Sequence, residues 1–278
     1  MIRRSVMWGV ALSVVGVLGV AGAHRLALAD DTVTQGLQGP AHEAWMGPHG
    51  WVTAALEGMN LRADQRAAIE QLKTDTKTRS APALAAHDRL MEAVATSVEA
   101  GRVDHATLDP LVTATQAAGE ANRPSFEDAA NRLHAILDQG QRQQLVNSIR
   151  EKLHSGHGFG HMGQDHLAQI GAELGLTDDQ TSTIHAKFEA LRDSERATEP
   201  QGEGFRAHFA HMKAVADAFV SDSFDAHALG VGEHLRPPMF AGKILSRIEV
   251  ALPVLTPAQR THLAEMIRSK RLETGLQG

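Results

Sequence analysis

Four short motifs recur along this chain, and their spacing restricts the set of possible folds. The motifs are LRADQ at 61–65, LDQGQ at 137–141, LTDDQ at 176–180 and LTPAQ at 255–259. The first and third motifs lie 115 residues apart, and the second and fourth lie 118 residues apart. Matched offsets of this kind indicate a repeat of about 100 residues that is present twice, head to tail.

The residues around the motifs support the duplication. When QRQQLVNSIREK at 141–152 is aligned with QRTHLAEMIRSK at 259–270, Gln, Arg, Leu, Ile, Arg and Lys coincide in register. Alignment at the first motif sets Asn60 opposite Gly175, and both residue types tolerate the left-handed conformation at a helix C-terminus. We therefore expect each repeat to begin with a short helix, a turn and a long helix.

The N-terminus is typical of an export signal. Arg3-Arg4 precede an uncharged apolar stretch at 6–20, and small residues at 27–29 precede Asp30. We expect a cleaved signal peptide and a periplasmic mature protein, with an uncleaved membrane anchor as the alternative. The predicted organisation is a signal peptide at 1–29, a flexible lead at 30–50, a first repeat at 51–155, a His- and Gly-rich linker at 156–165, a second repeat at 166–273 and a tail at 274–278.

Composition excludes several functional classes. The chain contains no cysteine, so disulfides and thiol catalysis are excluded. Removal of the signal with its three arginines leaves 24 basic and 33 acidic residues, which argues against nucleic acid as a partner. Beyond the signal, no apolar stretch reaches the length that a membrane-spanning helix needs.

Long segments rich in Ala, Leu, Gln, Glu and Arg, without alternation of the kind strands show, predict an all-α fold. In the first repeat we expect helices at 51–59, at 63–100 with a bend at Pro82, from Asp104 onward, at 124–137 and at 139–154. In the second repeat we expect helices at 166–174, at 178–221 with a break near 200–204, at 225–251 with an interruption at Pro237-Pro238, and at 257–272.

The motifs themselves are interpreted as helix starts. A cap residue followed three positions later by glutamine forms a capping box, in which each side chain satisfies a backbone N–H of the other residue. Arg62 occupies the cap position of the first motif and has no acceptor, so that cap is expected to be poor. The predicted capping boxes are Thr177 with Gln180, Thr256 with Gln259, and Asp138 with Gln141.

A helical repeat of about 100 residues with an LTxxQ-type motif near each end resembles the Spy/CpxP family, which includes ZraP- and CnrX-like metal-responsive proteins. The segment VSDSFDAHAL at 220–229 also looks like the family segment between the two long helices. The resemblance implies two tandem Spy-like four-helix units of bent helical hairpins. Two such units in one chain suggest an intrachain pseudo-dimer that remains monomeric. The acidic composition departs from the basic client-binding surface that the family leads us to expect.

Histidines suggest a second kind of site. The segment HSGHGFGHMGQDH combines imidazoles with flexible glycines, which could enclose Zn²⁺, Cu²⁺ or Ni²⁺, and the alternative interpretation is a solvated linker. Weaker candidates are His42 with His49, and His208 with His211 on one helix face. The predicted metal ligands are His154, His157, His161 and His166.

The resemblance implies a periplasmic envelope-stress protein that binds unfolded or misfolded envelope proteins, or a sensor-kinase domain, without ATP. The alternative from the histidines is a periplasmic heavy-metal sensor or buffer, and a purely structural envelope protein is a third possibility. We expect no enzymatic activity, because the sequence has no nucleophile elbow, phosphate loop or convincing carboxylate pair. The second repeat is rich in phenylalanine, which could provide contact surface or core: Phe205, Phe209, Phe219, Phe224 and Phe240.

Overall fold

The structure is a computed structural model that describes residues 47–154, 170–198, 203–232 and 238–276. Within these ranges the chain is helical and has no strand, so the all-α prediction is confirmed. The helices are α1 (Gly47–Glu57), α2 (Ala63–Glu99), α3 (His105–Ile136), α4 (Gln139–His154), α5 (Asp178–Thr198), α6 (Glu203–Val220), α7 (Pro238–Ala251), a 3-10 helix (Leu252–Val254) and α8 (Pro257–Leu276).

Helices α5 and α8 begin with the predicted capping boxes. The backbone N–H of Gln180 donates to Thr177 Oγ1 over 3.2 Å, and that of Thr177 donates to Gln180 Oε1 over 3.1 Å. In the same way, the N–H of Gln259 donates to Thr256 Oγ1 over 3.3 Å, and that of Thr256 donates to Gln259 Oε1 over 2.9 Å. The prediction is confirmed because a capping box depends only on residues within one helical turn.

Helices α4 and α2 show a complete and an incomplete version of this cap. Asp138 Oδ1 accepts the Gln141 N–H at 2.9 Å, and Gln141 Oε1 accepts the Asp138 N–H at 3.0 Å. At the start of α2, Gln65 Oε1 accepts the Arg62 N–H at 3.0 Å. Arg62 has no acceptor to return the bond, as the sequence predicts, and its guanidinium contacts exposed Asp64 instead.

Gly101 (φ 74°) and Gly175 (φ 61°) end helical segments, and Gly230 (φ 59°) lies in the turn at 226–232. Beside Gly175, the N–H of Leu176 donates to the Gly171 carbonyl over 2.9 Å, which is the closing bond of a Schellman motif. The left-handed helix end expected at Gly175 is therefore present.

Several helix boundaries differ from the sequence prediction. α1 begins at Gly47, inside the segment expected to be a flexible lead, and α8 ends at Leu276 rather than at 272. Two other differences are larger. α3 continues through Pro124 as one helix, whereas the sequence suggested a separate run from 124. Proline costs a helix about 3 kcal/mol, and here the packing of α3 outweighs that local penalty.

Residues 226–232 form turns rather than the start of a longer helix. Asp225 caps the first turn by accepting the N–H groups of His227 and Ala228, and Gly230, with positive φ, ends it.

The described helices form two compact units that do not follow the order of the repeats. Compact unit 1 contains residues 47–78, 124–154 and 203–232, and compact unit 2 contains residues 79–123, 170–198 and 238–276. Each compact unit therefore joins the two motif-bearing ends of one repeat to the middle helical segments of the other. The repeats are units of sequence, whereas the compact units are assembled from both.

The core of compact unit 1 contains apolar side chains from both repeats. The first repeat supplies residues from α1 to α4, among them Leu72, Leu133 and Leu145, each at most 1% exposed. The second repeat supplies Phe219, which is completely buried, together with its neighbours on α6 and in the following turn. The second-repeat members of this core are Met212, Val215, Ala216, Phe219, Ala226 and Val231.

The core of compact unit 2 shows the reverse exchange. Leu90, Val94 and Leu108 come from the end of α2 and the start of α3, both in the first repeat. They pack with Leu245, Leu252 and Ala264 of the second repeat. Because each core is shared between repeats, part of the apolar surface that each repeat buries lies against the other repeat.

Candidate functional site

The predicted metal site lies mostly outside the described residues. His154 is the last residue of α4, and His157, His161 and His166 are outside the described ranges. The Zn²⁺, Cu²⁺ or Ni²⁺ site therefore stays a prediction. In the part of the chain that the structure describes, no three histidine or carboxylate side chains are grouped so as to hold a metal ion.

The motif glutamines form a hydrogen-bonded pair in compact unit 1. Gln65 Nε2 donates to Gln141 Oε1 over 2.7 Å, and Gln141 Nε2 donates to Gln65 Oε1 over 3.0 Å. Each amide also reaches the backbone before the other motif, at Ile136 O (2.8 Å) and Asn60 O (3.2 Å). Gln65 is only 2% exposed, so this Gln65–Gln141 clasp satisfies an amide whose burial would otherwise be costly.

Compact unit 2 contains the same clasp. Gln180 Nε2 donates to Gln259 Oε1 over 2.8 Å, and Gln259 Nε2 returns the bond to Gln180 Oε1 over 3.1 Å. The backbone acceptors are Val254 O at 2.9 Å and Gly175 O at 3.3 Å. All four partners are related to those of compact unit 1 by the offsets of 115 and 118 residues, so the duplication extends to individual hydrogen bonds.

The arginine that follows the second motif glutamine contacts the opposite repeat. Arg142 is 7% exposed, and its Nη2 donates to Asp222 Oδ1 over 2.8 Å, just past the end of α6. Its repeat counterpart Arg260 lies against Gly101, just past the end of α2, where an added Cβ would collide with the guanidinium. In both compact units this arginine therefore packs on a helix end contributed by the other repeat.

A second pair of matching arginines also links the repeats. Arg150 Nη2 lies 3.2 Å from Asp217 Oδ1 on α6. Arg268, its counterpart on α8, lies 3.1 Å from Glu92 Oε1 and 3.0 Å from Glu99 Oε2 on α2. These ion pairs are partly exposed, so each contributes little stability, but they favour pairing between unlike segments.

A buried histidine joins the Arg142 contact to the core. His134 Nε2 lies 2.8 Å from both the Ser221 carbonyl oxygen and Arg142 Nη1. A neutral ring can donate to the carbonyl or accept from the guanidinium, according to its tautomer. Burial lowers the pKa of His134, and the neighbouring Arg142 charge lowers this pKa further. The ring is therefore neutral near pH 7 and acts as a structural contact.

Two of the second-repeat phenylalanines pack around His134. The ring of Phe224 stacks on the imidazole with centroids 5.1 Å apart, and Phe219 meets it edge-on at 5.4 Å. Phe219 is buried and Phe224 is partly buried, so these two rings are core rather than contact surface. The side chains of Phe205, Phe209 and Phe240 lie outside those that the structure describes.

An apolar stripe on α5 is the strongest candidate for a binding surface. Ile184, Phe188 and Leu191 follow the i, i+4, i+7 spacing of one helix face, and all three are only partly buried. None of the described side chains of α5, which cover 178–194, is buried. By contrast, Ile69, the first-repeat counterpart of Ile184, is 3% exposed.

Sequence reasoning missed both the clasps and the stripe. The available signal for the clasps was the glutamine that ends all four motifs, since a cap alone does not require glutamine at every start. For the stripe the signal was Lys187, which replaces the buried Leu72 at the equivalent position of α2. A charged residue in place of a core leucine indicates that this side of α5 is less completely buried than its counterpart on α2.

None of the described helices combines the length and the apolar character needed to cross a bilayer. No family model, curated protein or solved structure matched the chain in the three comparisons with known proteins. The Spy/CpxP resemblance therefore rests on the motif residues and the segment at 220–229.

Proposed function

We propose that this protein binds exposed apolar segments of unfolded or partly folded polypeptides in the periplasm, without ATP. The observation that carries the proposal is the partly buried stripe of Ile184, Phe188 and Leu191 on α5. Its location in the periplasm rests on the N-terminal sequence at 1–29, and its likeness to stress proteins rests on the four motifs.

The chemistry of α5 suits shallow and reversible contact with varied sequences. Partly exposed apolar side chains gain free energy when a client segment covers them, at about 25 cal/mol per Å² of buried apolar surface. Lys187 and Arg192 flank the stripe on its two sides, and Arg192 is ion-paired with Glu189. Both signs of charge are present, so the surface does not select clients by net charge.

An aggregation assay with reduced insulin tests the proposal. The chain has no cysteine, so the reductant that releases and precipitates the insulin B chain leaves this protein unaltered. We expect the full mature chain to suppress light scattering at equimolar concentration. The double variant Ile184→Ser/Phe188→Ser is expected to lose several-fold in suppression, because two apolar contacts of the stripe are removed.

A matched control separates loss of the stripe from general damage to α5. Ala186→Ser/Ala190→Ser changes two exposed positions on the same helix and should leave suppression unchanged. Circular dichroism verifies that both double variants retain their helix content. Equal suppression by the stripe variant and the wild type, or no suppression by the wild type, overturns the proposal.

The metal-binding alternative is tested by repeating the same assay with and without metal ions. Suppression measured with EDTA and with added Zn²⁺, Cu²⁺ or Ni²⁺ shows whether an ion is required. Titration of these ions into the chain before and after replacing His154, His157, His161 and His166 by Gln measures binding directly. Ion binding that disappears in the replaced chain, without suppression by the wild type under any condition, favours a metal sensor or buffer.

A further inference from the structure

The turn at 225–232 is held on α3 by a histidine that contacts two carboxylates. His227 Nδ1 lies 2.7 Å from Glu127 Oε2, and its Nε2 lies 3.0 Å from Asp128 Oδ1. The turn belongs to the second repeat and α3 to the first, although both are in compact unit 1. The contact therefore joins the two repeats.

The geometry fits a ring that carries a proton on each nitrogen. A neutral imidazole has one N–H, so it can donate to only one of two carboxylates. With both nitrogens at hydrogen-bonding distance from carboxylate oxygens, the imidazolium satisfies both contacts of His227. Loss of one proton leaves either Glu127 or Asp128 facing a ring lone pair.

Loss of a proton from His227 affects Glu127 strongly, because this carboxylate is nearly buried. Its side chain is 8% exposed, and its other oxygen accepts the Gly232 N–H at 3.3 Å. Among the described residues, His227 is the one cationic partner of this carboxylate. Arg132, one turn beyond Asp128 on α3, is paired with Asp75 at 2.7 Å.

The same turn is attached to the core at both ends. Ala226 and Val231 are fully buried in the core of compact unit 1. The N–H of Ala226 donates to Asn131 Oδ1 over 2.8 Å, while Asp225 Oδ1 accepts the N–H of His227 itself. Release of the turn would therefore uncover apolar surface in that core.

We propose that His227 is a proton-operated latch, which in its doubly protonated form holds residues 225–232 of the second repeat on α3 of the first. Deprotonation weakens the latch and lets the turn open. The latch lies in compact unit 1 and α5 lies in compact unit 2, so a test of the latch does not depend on client binding by α5.

The sign of the pH dependence follows from the carboxylates. The hydrogen bond to Asp128 and then that to Glu127 raise the pKa of His227 above its ordinary value of 6.5. A histidine whose pKa is raised on folding adds stability that is complete below pH 6.5 and is lost as pH rises through the raised value. The latch is therefore closed in mild acid and opens toward alkaline pH.

His134 in the same compact unit has the opposite pH dependence. Its pKa is lowered by burial, so its contribution is complete above pH 6.5 and is lost as pH falls through the lowered value. Overall unfolding therefore reports both histidines. A local measurement at the turn is needed to follow His227.

Amide hydrogen exchange of residues 226–232 in the full chain provides that measurement. After correction for the intrinsic pH dependence of exchange, we expect protection to fall as pH rises from 6.5, by up to about tenfold for each unit by which the pKa of His227 is raised. In His227→Gln the corrected protection should be low and independent of pH. Equal pH dependence in the wild type and in His227→Gln overturns the latch.

Two further variants keep the test decisive if His227→Gln fails to fold. Asp128→Asn removes an exposed carboxylate and leaves the contact with Glu127, so the loss of protection should move to lower pH. His105→Gln is the matched control, because His105 also lies between carboxylates, 3.1 Å from Asp109 and 3.8 Å from Glu249, but all three side chains are exposed. An unshifted profile in Asp128→Asn, or the same loss in His105→Gln, contradicts the proposal.

Discussion

The glutamine that ends each motif has two structural roles at once. Its carbonyl oxygen accepts the backbone N–H of the cap position, and the whole amide pairs with the matching glutamine of the same compact unit. In compact unit 1 the paired glutamines are 76 residues apart, and in compact unit 2 they are 79 residues apart. The cap could be predicted because its partners are three residues away, whereas the clasp depends on how two distant helix starts meet.

Removing one member of the clasp should destabilise compact unit 1. Gln141→Ala takes away both bonds to Gln65 and the cap on Asp138, so the buried Gln65 amide keeps only its backbone bonds to Ile136 and Arg62. We expect a loss of about 1–3 kcal/mol in the free energy of unfolding, measured by urea denaturation. Gln144→Ala, at an exposed site one residue before the buried Leu145, should change it by no more than about 0.5 kcal/mol.

A double-mutant cycle makes this prediction more specific. If the clasp is one interaction, the losses from Gln65→Ala and Gln141→Ala should sum to more than the loss in the double variant. Strictly additive losses would contradict a shared hydrogen-bonded pair.

Helices that begin at equivalent motifs are buried to different extents. α2 and α5 both begin at a motif of the same type, yet α2 is buried along Ile69 and Leu72 while α5 keeps Ile184 partly exposed. The helix ends also differ in their surroundings. Gly101 closes α2 beneath Arg260, whereas Gly175 precedes α5 with open space around its Cα.

Alanine substitution at these two glycines should separate backbone strain from crowding. Gly175→Ala should cost about 1–2 kcal/mol, because a left-handed conformation is strained for any residue with a Cβ. Gly101→Ala should cost more, since its Cβ would also displace the Arg260 guanidinium. Gly140→Ala, in the first turn of α4 without positive φ, should leave the thermal midpoint unchanged or slightly higher.

The test depends on the order of the three losses in stability, with Gly101→Ala largest, Gly175→Ala second and Gly140→Ala smallest. An equal shift of the thermal midpoint for Gly101→Ala and Gly175→Ala would show that Arg260 moves aside freely. A large loss in Gly140→Ala would show instead that added side chains damage the helices in general.

At the scale of the whole molecule, the two repeats complete each other's cores. Phe219 of the second repeat is buried with first-repeat residues, and Leu90 of the first is buried with second-repeat residues. The intrachain pseudo-dimer remains our proposal for how the repeats assemble. It is supported by this exchange and by the arginine contacts that link the repeats.

Cutting the linker tests that proposal in the full chain. We expect a protease site placed within 156–165 to yield two fragments that still co-elute in size-exclusion chromatography and keep their helix content. The buried contacts shared by the repeats would hold the fragments together without the covalent link. In the cut chain, Phe219→Ala should lower the urea concentration at which they separate, since loss of a buried phenylalanine costs about 3–5 kcal/mol.

The uncut chain carrying the same site serves as the reference for both measurements. Fragments that separate under native conditions, each with intact helices, would show that the repeats fold without exchange.

The sequence alone determined the features that arise within a few residues. Capping boxes and the glycine helix end at 175 depend on neighbouring side chains and backbone geometry, and the helical class follows from composition and the absence of strand alternation. The duplication was also visible, since it is recorded in matched offsets. These features needed no knowledge of which helices meet.

The tertiary structure decided which segments share a core. The two repeats have similar helices, so local preference does not distinguish packing within a repeat from packing between repeats. Complementary apolar faces and paired charges, such as Arg142 with Asp222, make that choice. Tertiary packing also explains two other features. α3 continues through Pro124 because its packing outweighs the local cost of proline in a helix, and the apolar stripe of α5 stays partly exposed because the segments packed on α5 bury it incompletely.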